Sequence, residues 1–197
     1  MKMNNGKKRI AIFASGTGSN AKKIIEYFSG HAVIETVLVL CNKPGAGVIT
    51  IAKENDIPLL MIEKEKFFHG NAYVDELKNT GIDFIILAGF LWKVPPKLIS
   101  AFANRIINIH PALLPKYGGK GMYGAHVHEA VLAAGDSESG ITIHLVDEYY
   151  DHGKNIFQTR CPVMKTDTVA TLAARIHGLE HEFFSKQIEQ YIHSFKN

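Results

Sequence analysis

The chain is poor in cysteine, with only Cys41 and Cys161 among 197 residues. Two thiols so far apart make neither a disulfide framework nor a thiolate metal cluster, and each reads as a small apolar residue in a strand. Long apolar runs are missing as well. The longest, Phe84 to Leu91, falls far short of the roughly 20 residues that cross a bilayer. Behind Lys2, Lys7, Lys8 and Arg9 the apolar stretch runs only from Ile10 to Ala14, too short for a secretory signal. Nor is charge of one sign in excess. The 22 Lys and Arg against 19 Asp and Glu give +3 at pH 7, whereas a nucleic-acid binder shows a basic stripe and a pI above about 9. No repeat, low-complexity tract or Ser/Pro-rich linker divides the chain. These absences predict a single cytoplasmic domain over 1–197 with a flexible N-terminus at 1–8, binding neither nucleic acid nor membrane.

What is present is 46% apolar, enough for a folded core, and it is punctuated regularly. Residues 9–14 form an apolar run ending at Ser15–Ser19, and Asn20–Phe28 follows with Ile24, Ile25 and Phe28 on one helical stripe. Ile34–Cys41 is nearly continuous and β-branched, as a parallel strand buried on both faces is. Val48–Asn55 is predicted helical, Pro58–Met61 a short strand, Ala72–Asn79 a helix and Phe84–Leu87 a strand. A helix follows Pro95-Pro96, because proline suits a first turn, and Arg105–Ile109 is the next strand. The alternation over 9–110 predicts an α/β fold: an open, mostly parallel, twisted, Rossmann-like sheet with helices on both faces. Then the rhythm changes. Pro111–Gly124 is a loop, Ala125–Ala134 a helix, and Gly140–Val146 and Asn155–Met164 a pair of strands. Their connection is shorter than the dozen or more residues of a parallel crossover, so the pair is antiparallel. A long amphipathic helix over Thr168–His193, capped by Asp167 or Thr168, completes the pattern.

Ser15-Gly16-Thr17-Gly18-Ser19-Asn20 lies between a strand and a helix. Glycines there let the backbone approach an anion, and the first helical N–H groups point at it. The hydroxyls of Ser15, Thr17 and Ser19 and the amide of Asn20 add donors; the alternative is a tight turn that needs glycine for its dihedrals alone. With Ala21 the segment also fits G-x-G-x-x-A, but the acid that holds an NAD ribose is replaced by Cys41-Asn42-Lys43. Lys43 suits a 2′-phosphate, so NADP stays open. A single-phosphate site is the simpler reading.

Seven of the ten histidines lie between His110 and His181, and the richest segment is Asn108-Ile109-His110-Pro111-Ala112-Leu113-Leu114-Pro115. In a strand, residues i and i+2 share a side, so Asn108 and His110 project together from its carboxyl end, the edge where open α/β sheets bind ligands. An amide donor beside an imidazole is equipment for stabilising an oxyanion and moving a proton. The plainer alternative is a strand end with two hydrogen-bonded polar residues.

The N-I-H-P-x-L-L-P run, with Ala88-Gly89-Phe90 and the S-G-T-G-S-N loop ahead of it, resembles the formyltransferase family that uses 10-formyltetrahydrofolate. The likeness runs from Ile10 to about Phe184. Asn42-Lys43, Lys116-Tyr117 and Asp151-x-Gly153 fit it too, and the nearest branch is the one that formylates glycinamide ribonucleotide in purine synthesis. The resemblance implies a catalytic trio of Asn108, His110 and Asp151, no metal and no covalent intermediate. In that scheme the substrate amine attacks the formyl carbon, Asn108 donates to the formyl oxygen, and His110, held cationic by Asp151, donates a second hydrogen bond. Asp151 takes the amine's proton. The resemblance also implies that the loop from Ser15 through Gly16, Thr17, Gly18 and Ser19 to Asn20 binds the ribose 5′-phosphate, and that Glu180 contacts the ribonucleotide. Without the resemblance Glu180 reads as a surface acid.

For the folate co-substrate the resemblance implies an apolar slot at Phe90, Leu91 and Val94, with backbone contacts from Val146 through Asp147 to Tyr150. The alternative for Phe90 and Leu91 is plain core packing. Where relatives carry an arginine this chain has Trp92-Lys93, leaving two candidates: Trp92 over the benzoyl ring, or Lys93 on the glutamate carboxylate. Gly118–Gly124 is longer than the family's shorter version of this loop and reads as a mobile cover, since no Ser or Thr follows Lys120 to make a Walker loop. His144, with Thr142 on the same strand face, is a candidate support for His110. His126-x-His128 lacks a third metal ligand at matching spacing.

Four readings result. The leading one is the ribonucleotide formyltransferase. A transfer-RNA formyltransferase needs a second domain and a more basic surface, and a formyltetrahydrofolate hydrolase carries an N-terminal regulatory domain. A nucleotide-binding module without catalysis leaves Asn108, His110 and Asp151 unexplained as a set. The expected partners are small molecules, for a monomer or homodimer.

Overall fold

The computed structural model describes residues 6–195. Residues 1–5 of the N-terminus expected to be flexible lie outside the described residues, and Lys8 already opens the first strand. The strands follow the order β3-β2-β1-β4-β5-β6-β7 in one seven-stranded sheet, the open, mostly parallel α/β sheet predicted from the alternation. The chain divides into two compact units, one up to Ile107 and one from Asn108 onward, so the division falls inside β5 (Ile106–His110).

In the first unit the elements are β1 (Lys8–Ala14), α1 (Ser19–Phe28), β2 (Ile34–Cys41), α2 (Gly47–Glu54), β3 (Leu59–Met61), α3 (Lys64–His69), α4 (Ala72–Asn79), β4 (Phe84–Leu87) and α5 (Pro96–Ala101). β1 pairs in parallel with both β2 and β4, and β2 with β3. Ile10 to Ala14 of β1 are wholly buried, which is why that strand reads as an unbroken apolar run. α1 buries Ala21, Ile24, Ile25 and Phe28, the stripe that a 3.6-residue period requires. α3 was not anticipated. Its six residues are too few to show a period, and Phe67 holds it by packing edge-on to Phe90 and tilted against Trp92 and Tyr73.

The second unit holds α6 (Ala125–Ala133), β6 (Glu138–Leu145), β7 (Asn155–Pro162) and α7 (Val169–Ser194). β6 and β7 are antiparallel, as their short connection predicted. Gly140 is required there because a Cβ would run into the Thr159 carbonyl on β7 and into Leu113. α7 buries Leu172, Ile176, Phe184, Ile188 and Ile192. Of the two candidate caps Thr168 is the one used: its Oγ1 accepts the Thr171 N–H at 3.2 Å, and Thr171 Oγ1 accepts the Thr168 N–H at 2.9 Å. Asp167 braces the turn instead, taking Arg175 in a bidentate pair at 2.7 and 3.0 Å. Thr168→Ala removes the cap, and a thermal or urea denaturation should show a loss of about 1 kcal/mol with the fold retained.

Both cysteines are free and buried. Among the described residues no helix is long and apolar enough to cross a membrane.

Candidate active site

Parallel strands bring the loops after β1, β2 and β4 to one edge of the first unit, and Ser15 ties them together. Its Oγ donates to Asn42 Oδ1 at 2.6 Å and accepts the Leu91 N–H at 2.9 Å. A hydroxyl has one proton, and here that of Ser15 is placed on Asn42, so the side chain braces the loop. Gly18 caps α1 at φ 83°, where a Cβ would meet Val48 and Ile51 at 2.8 Å. Only glycine lets the loop close against α2 in that conformation. Gly16 and Thr17 are exposed beside the opening turn of α1, where Ser19 and Asn20 stand. α1 has no side-chain cap and no acid in its first turn, so its leading N–H groups present the positive end of the helix dipole.

Next along the same edge, Phe90 packs edge-on to Phe13, and Trp92 lies against Phe67 and Phe68. Phe90 and Trp92 are thus spent largely on an aromatic cluster with α3, while Val94 is buried. Leu91, 48% exposed, offers its apolar side chain outward, and Lys93 is exposed next to it.

In the second unit β5 carries Asn108 and His110. His110 is 3% exposed, and its Nε2 lies 2.7 Å from the Tyr117 carbonyl. A carbonyl only accepts, so Nε2 bears a proton and Nδ1 is the ring atom left for chemistry. That atom is 3.5 Å from Asp151 Oδ1. His144 Nδ1 donates to its neighbour's carbonyl, Leu145 O, at 2.8 Å, which leaves Nε2 to accept Asn108 Nδ2–H at 3.0 Å. One amide hydrogen of Asn108 is therefore held in place and the other is left to donate. The support expected from His144 goes to Asn108 rather than to His110, and its Nε2 lies 3.7 Å from Asp151 Oδ1. Thr142 is bonded elsewhere: it donates to Ala112 O and accepts from Leu114 N and Gln158. It holds the loop after β5 and does not touch the trio.

Asp151 arrives on the loop between β6 and β7 with φ 52°. Two glycines fix that approach. A Cβ on Gly153 would strike the Leu145 carbonyl, and Gly118 packs with its would-be Cβ 3.2 Å from Asp151 Cβ. The Gly119 N–H donates to Asp151 Oδ2 at 3.0 Å. The near end of the Gly118–Gly124 loop, expected as a mobile cover, is thereby fastened to the carboxylate. Elsewhere on the Asp151 loop, Asp147 accepts from the Tyr149 N–H and from His152 at 2.9 and 2.8 Å. Val146 is half-buried and Tyr150 exposed.

Burial pushes the Asp151 carboxyl up, but His144, the charge of His110 and the Gly119 N–H together outweigh it and hold it below the ordinary carboxylate value. For His110 the balance falls the other way. Burial lowers it more than Asp151 and the Tyr117 carbonyl raise it, so it lies below 6.5. The depression favours a neutral ring beside a charged carboxylate near pH 7, whereas the resemblance implied a cation.

Glu180 is 5% exposed, which rules out the surface-acid alternative. His177 Nδ1 lies 2.8 Å from its Oε2, and that contact, first of all, raises the His177 value. His128 is buried, with no hydrogen-bond partner for Nδ1, and lies within electrostatic reach of Glu180 and His110. Sequence reasoning missed Tyr117 as the anchor of His110, because a backbone carbonyl leaves no mark on residue type. Among the described residues no group of three or more His, Cys, Asp or Glu could hold a metal ion.

Comparison with known proteins places the chain among relatives. Residues 8–188 match the formyl transferase family. A chloroplastic phosphoribosylglycinamide formyltransferase of Arabidopsis thaliana is 44% identical over 90% of this chain and 63% of its own length. The Bacillus subtilis phosphoribosylglycinamide formyltransferase is 34% identical over 94% of this chain and 95% of its own. The crystal structure of the Bacillus halodurans phosphoribosylglycinamide formyltransferase superposes with a TM-score of 0.86 at 36% identity, covering 96% of this chain and 98% of that one. The chain spans 63% of the length of the Arabidopsis thaliana relative, 60% of a chloroplastic phosphoribosylglycinamide formyltransferase of Vigna unguiculata and 14% of a trifunctional purine biosynthetic protein of Drosophila melanogaster. With the family matched over nearly all its described residues and the Bacillus relatives covered almost end to end, the chain belongs to the formyl transferase family.

Proposed function

We propose that the chain transfers a formyl group from 10-formyltetrahydrofolate to the primary amine of glycinamide ribonucleotide. The observation that carries this reading is the Asn108 amide, fixed by His144 and with one N–H to spare, beside a neutral His110 backed by the Asp151 carboxylate. The names of the relatives support the choice of acceptor.

In this reading the amine attacks the formyl carbon and a C–N bond forms while charge gathers on the formyl oxygen. Asn108 donates its second N–H to that oxygen. The His110–Asp151 pair takes the amine's proton at His110 Nδ1, the carboxylate stabilising the imidazolium as it forms. The pair returns the proton to N10 as the C–N10 bond of the tetrahedral intermediate breaks. The two groups act as one titrating unit. The opening turn of α1, with Thr17, Ser19 and Asn20, holds the 5′-phosphate, and the buried Glu180 carboxylate takes a polar group of the ribonucleotide. Leu91 and the backbone of Val146–Tyr150 hold the folate. Free cysteines fit a reducing, cytoplasmic setting, in which the domain acts on small molecules as a monomer or homodimer.

The pH dependence follows from the neutral ring. His110 must be unprotonated to accept, so kcat falls as pH drops through a value below 6.5 and is level above it. The same depression means that the unfolded chain binds a proton the folded chain refuses, so His110 costs stability as pH falls below 6.5. A pH–rate profile checks the first statement; a rate that falls as pH rises through the histidine range would show His110 working as a resting cation.

Tetrahydrofolate release, followed with and without glycinamide ribonucleotide, tests the assignment. Release that requires the ribonucleotide is expected. Release in its absence would mark hydrolysis, and no release in either case would defeat the proposal.

A further inference from the structure

Four non-glycine residues among those described have positive φ: Asp56, Asn104, Tyr117 and Asp151. Three are Asp or Asn, whose short polar side chains tolerate the left-handed region. Tyr117, at φ 58°, has no such excuse. A bulky residue in that conformation is strained and persists only where its surroundings over-determine it.

Both of its ends are tied. The Tyr117 carbonyl takes His110 Nε2–H at 2.7 Å. Its phenol donates to Asp136 Oδ2 at 2.8 Å, and Lys116 Nζ reaches the same carboxylate at 3.1 Å. Two residues further on, Gly119 N–H holds Asp151 Oδ2. One four-residue stretch, 116–119, therefore grips both members of the proton-transferring pair from the backbone, and its outer fastening is Asp136. The hydrogen bond from Tyr117, then Lys116, keeps the Asp136 carboxyl below its ordinary value, so the anchor is ionised throughout the neutral range.

Resting on the formyl-transfer reading, we propose that Tyr117 and Asp136 are positioning residues: their side-chain hydrogen bond holds the left-handed turn that aims the Tyr117 carbonyl at His110. Neither side chain needs to touch substrate. Loosening the bond lets the carbonyl drift, and small displacements of a catalytic group can cost up to about a hundredfold in rate.

The test uses Tyr117→Phe, which deletes only the phenolic oxygen, and Asp136→Ala, which deletes the carboxylate that accepts it. Two quantities are read: kcat at saturating substrates, and the midpoint of the His110 imidazole titration followed by NMR in the resting protein. Each variant should lose about tenfold in kcat with little change in KM. In each the His110 midpoint should move to lower pH, because the Tyr117 carbonyl favours the imidazolium. The double variant should lose no more than either single one, since both remove the same bond. Parent-like kcat and titration would overturn the proposal. So would a fall in kcat with His110 unmoved, which is what a merely structural role gives. If Tyr117→Phe does not fold, Asp136→Ala on the half-exposed side of the bond decides alone. If the parent shows no ribonucleotide-dependent turnover, the formyl-transfer reading fails by itself and the His110 titration still judges the anchor.

Discussion

Asp151→Asn should leave both substrates bound and remove most of the turnover. The amide keeps the size of the carboxylate and can still accept the Gly119 N–H at Oδ1 or Oδ2's position, so the loop stays closed on Gly153. What disappears is the negative charge 3.5 Å from His110 Nδ1, and with it the stabilisation of the imidazolium that forms when the amine gives up its proton. General acid–base assistance of this kind is worth about 10²–10⁴-fold, and the loss should fall on kcat with KM nearly unchanged. Steady-state kinetics for each substrate in turn reads this out. Near-normal kcat would remove Asp151 from the proton path.

Asn108→Ala should be comparably severe for a different reason. Its amide is the trio's oriented donor with a hydrogen to spare: His110 Nε2–H is spent on the Tyr117 carbonyl, whereas His144 Nε2, itself fixed by the Leu145 carbonyl, takes only one of the two Asn108 hydrogens. A donor held in advance costs no reorganisation when charge develops on the formyl oxygen, and removing one such donor lowers kcat by about 10²–10³. Its pH profile should keep the parent's shape, because the His110–Asp151 pair remains. A profile that changes shape would mean that Asn108 also tunes the pair.

The contrast between the two variants shows what the sequence could convey. Parallel strands such as Ile34–Cys41 and Phe84–Leu87 announced themselves because burial on both faces leaves a run of apolar residues. Asn108 and His110 were legible because strand alternation alone puts them on one side, and Asp151 entered only through its likeness to a family motif. The rest depended on contacts between distant positions. That Ser15 ties Asn42 and Leu91, 27 and 76 residues away, into one brace is invisible from its neighbours in sequence. His110 reads as a cation beside an acid, but its charge is set by burial, a property of everything packed round it. Glu180 looks like any acid on a helix until α7 is seen to bury that side. α3 was invisible because six residues beginning Lys-Glu-Lys carry no amphipathic period; packing between aromatic rings holds them.

The account's central claim is direct transfer by a pair that holds the proton but never the formyl group. A single turnover with donor labelled at the formyl carbon, quenched over time and separated into protein, formate and ribonucleotide, tests it most directly. The label should pass to the ribonucleotide amine with none on protein and none as formate. Label that appears first on the protein, or leaves as formate while the ribonucleotide stays unlabelled, would contradict it.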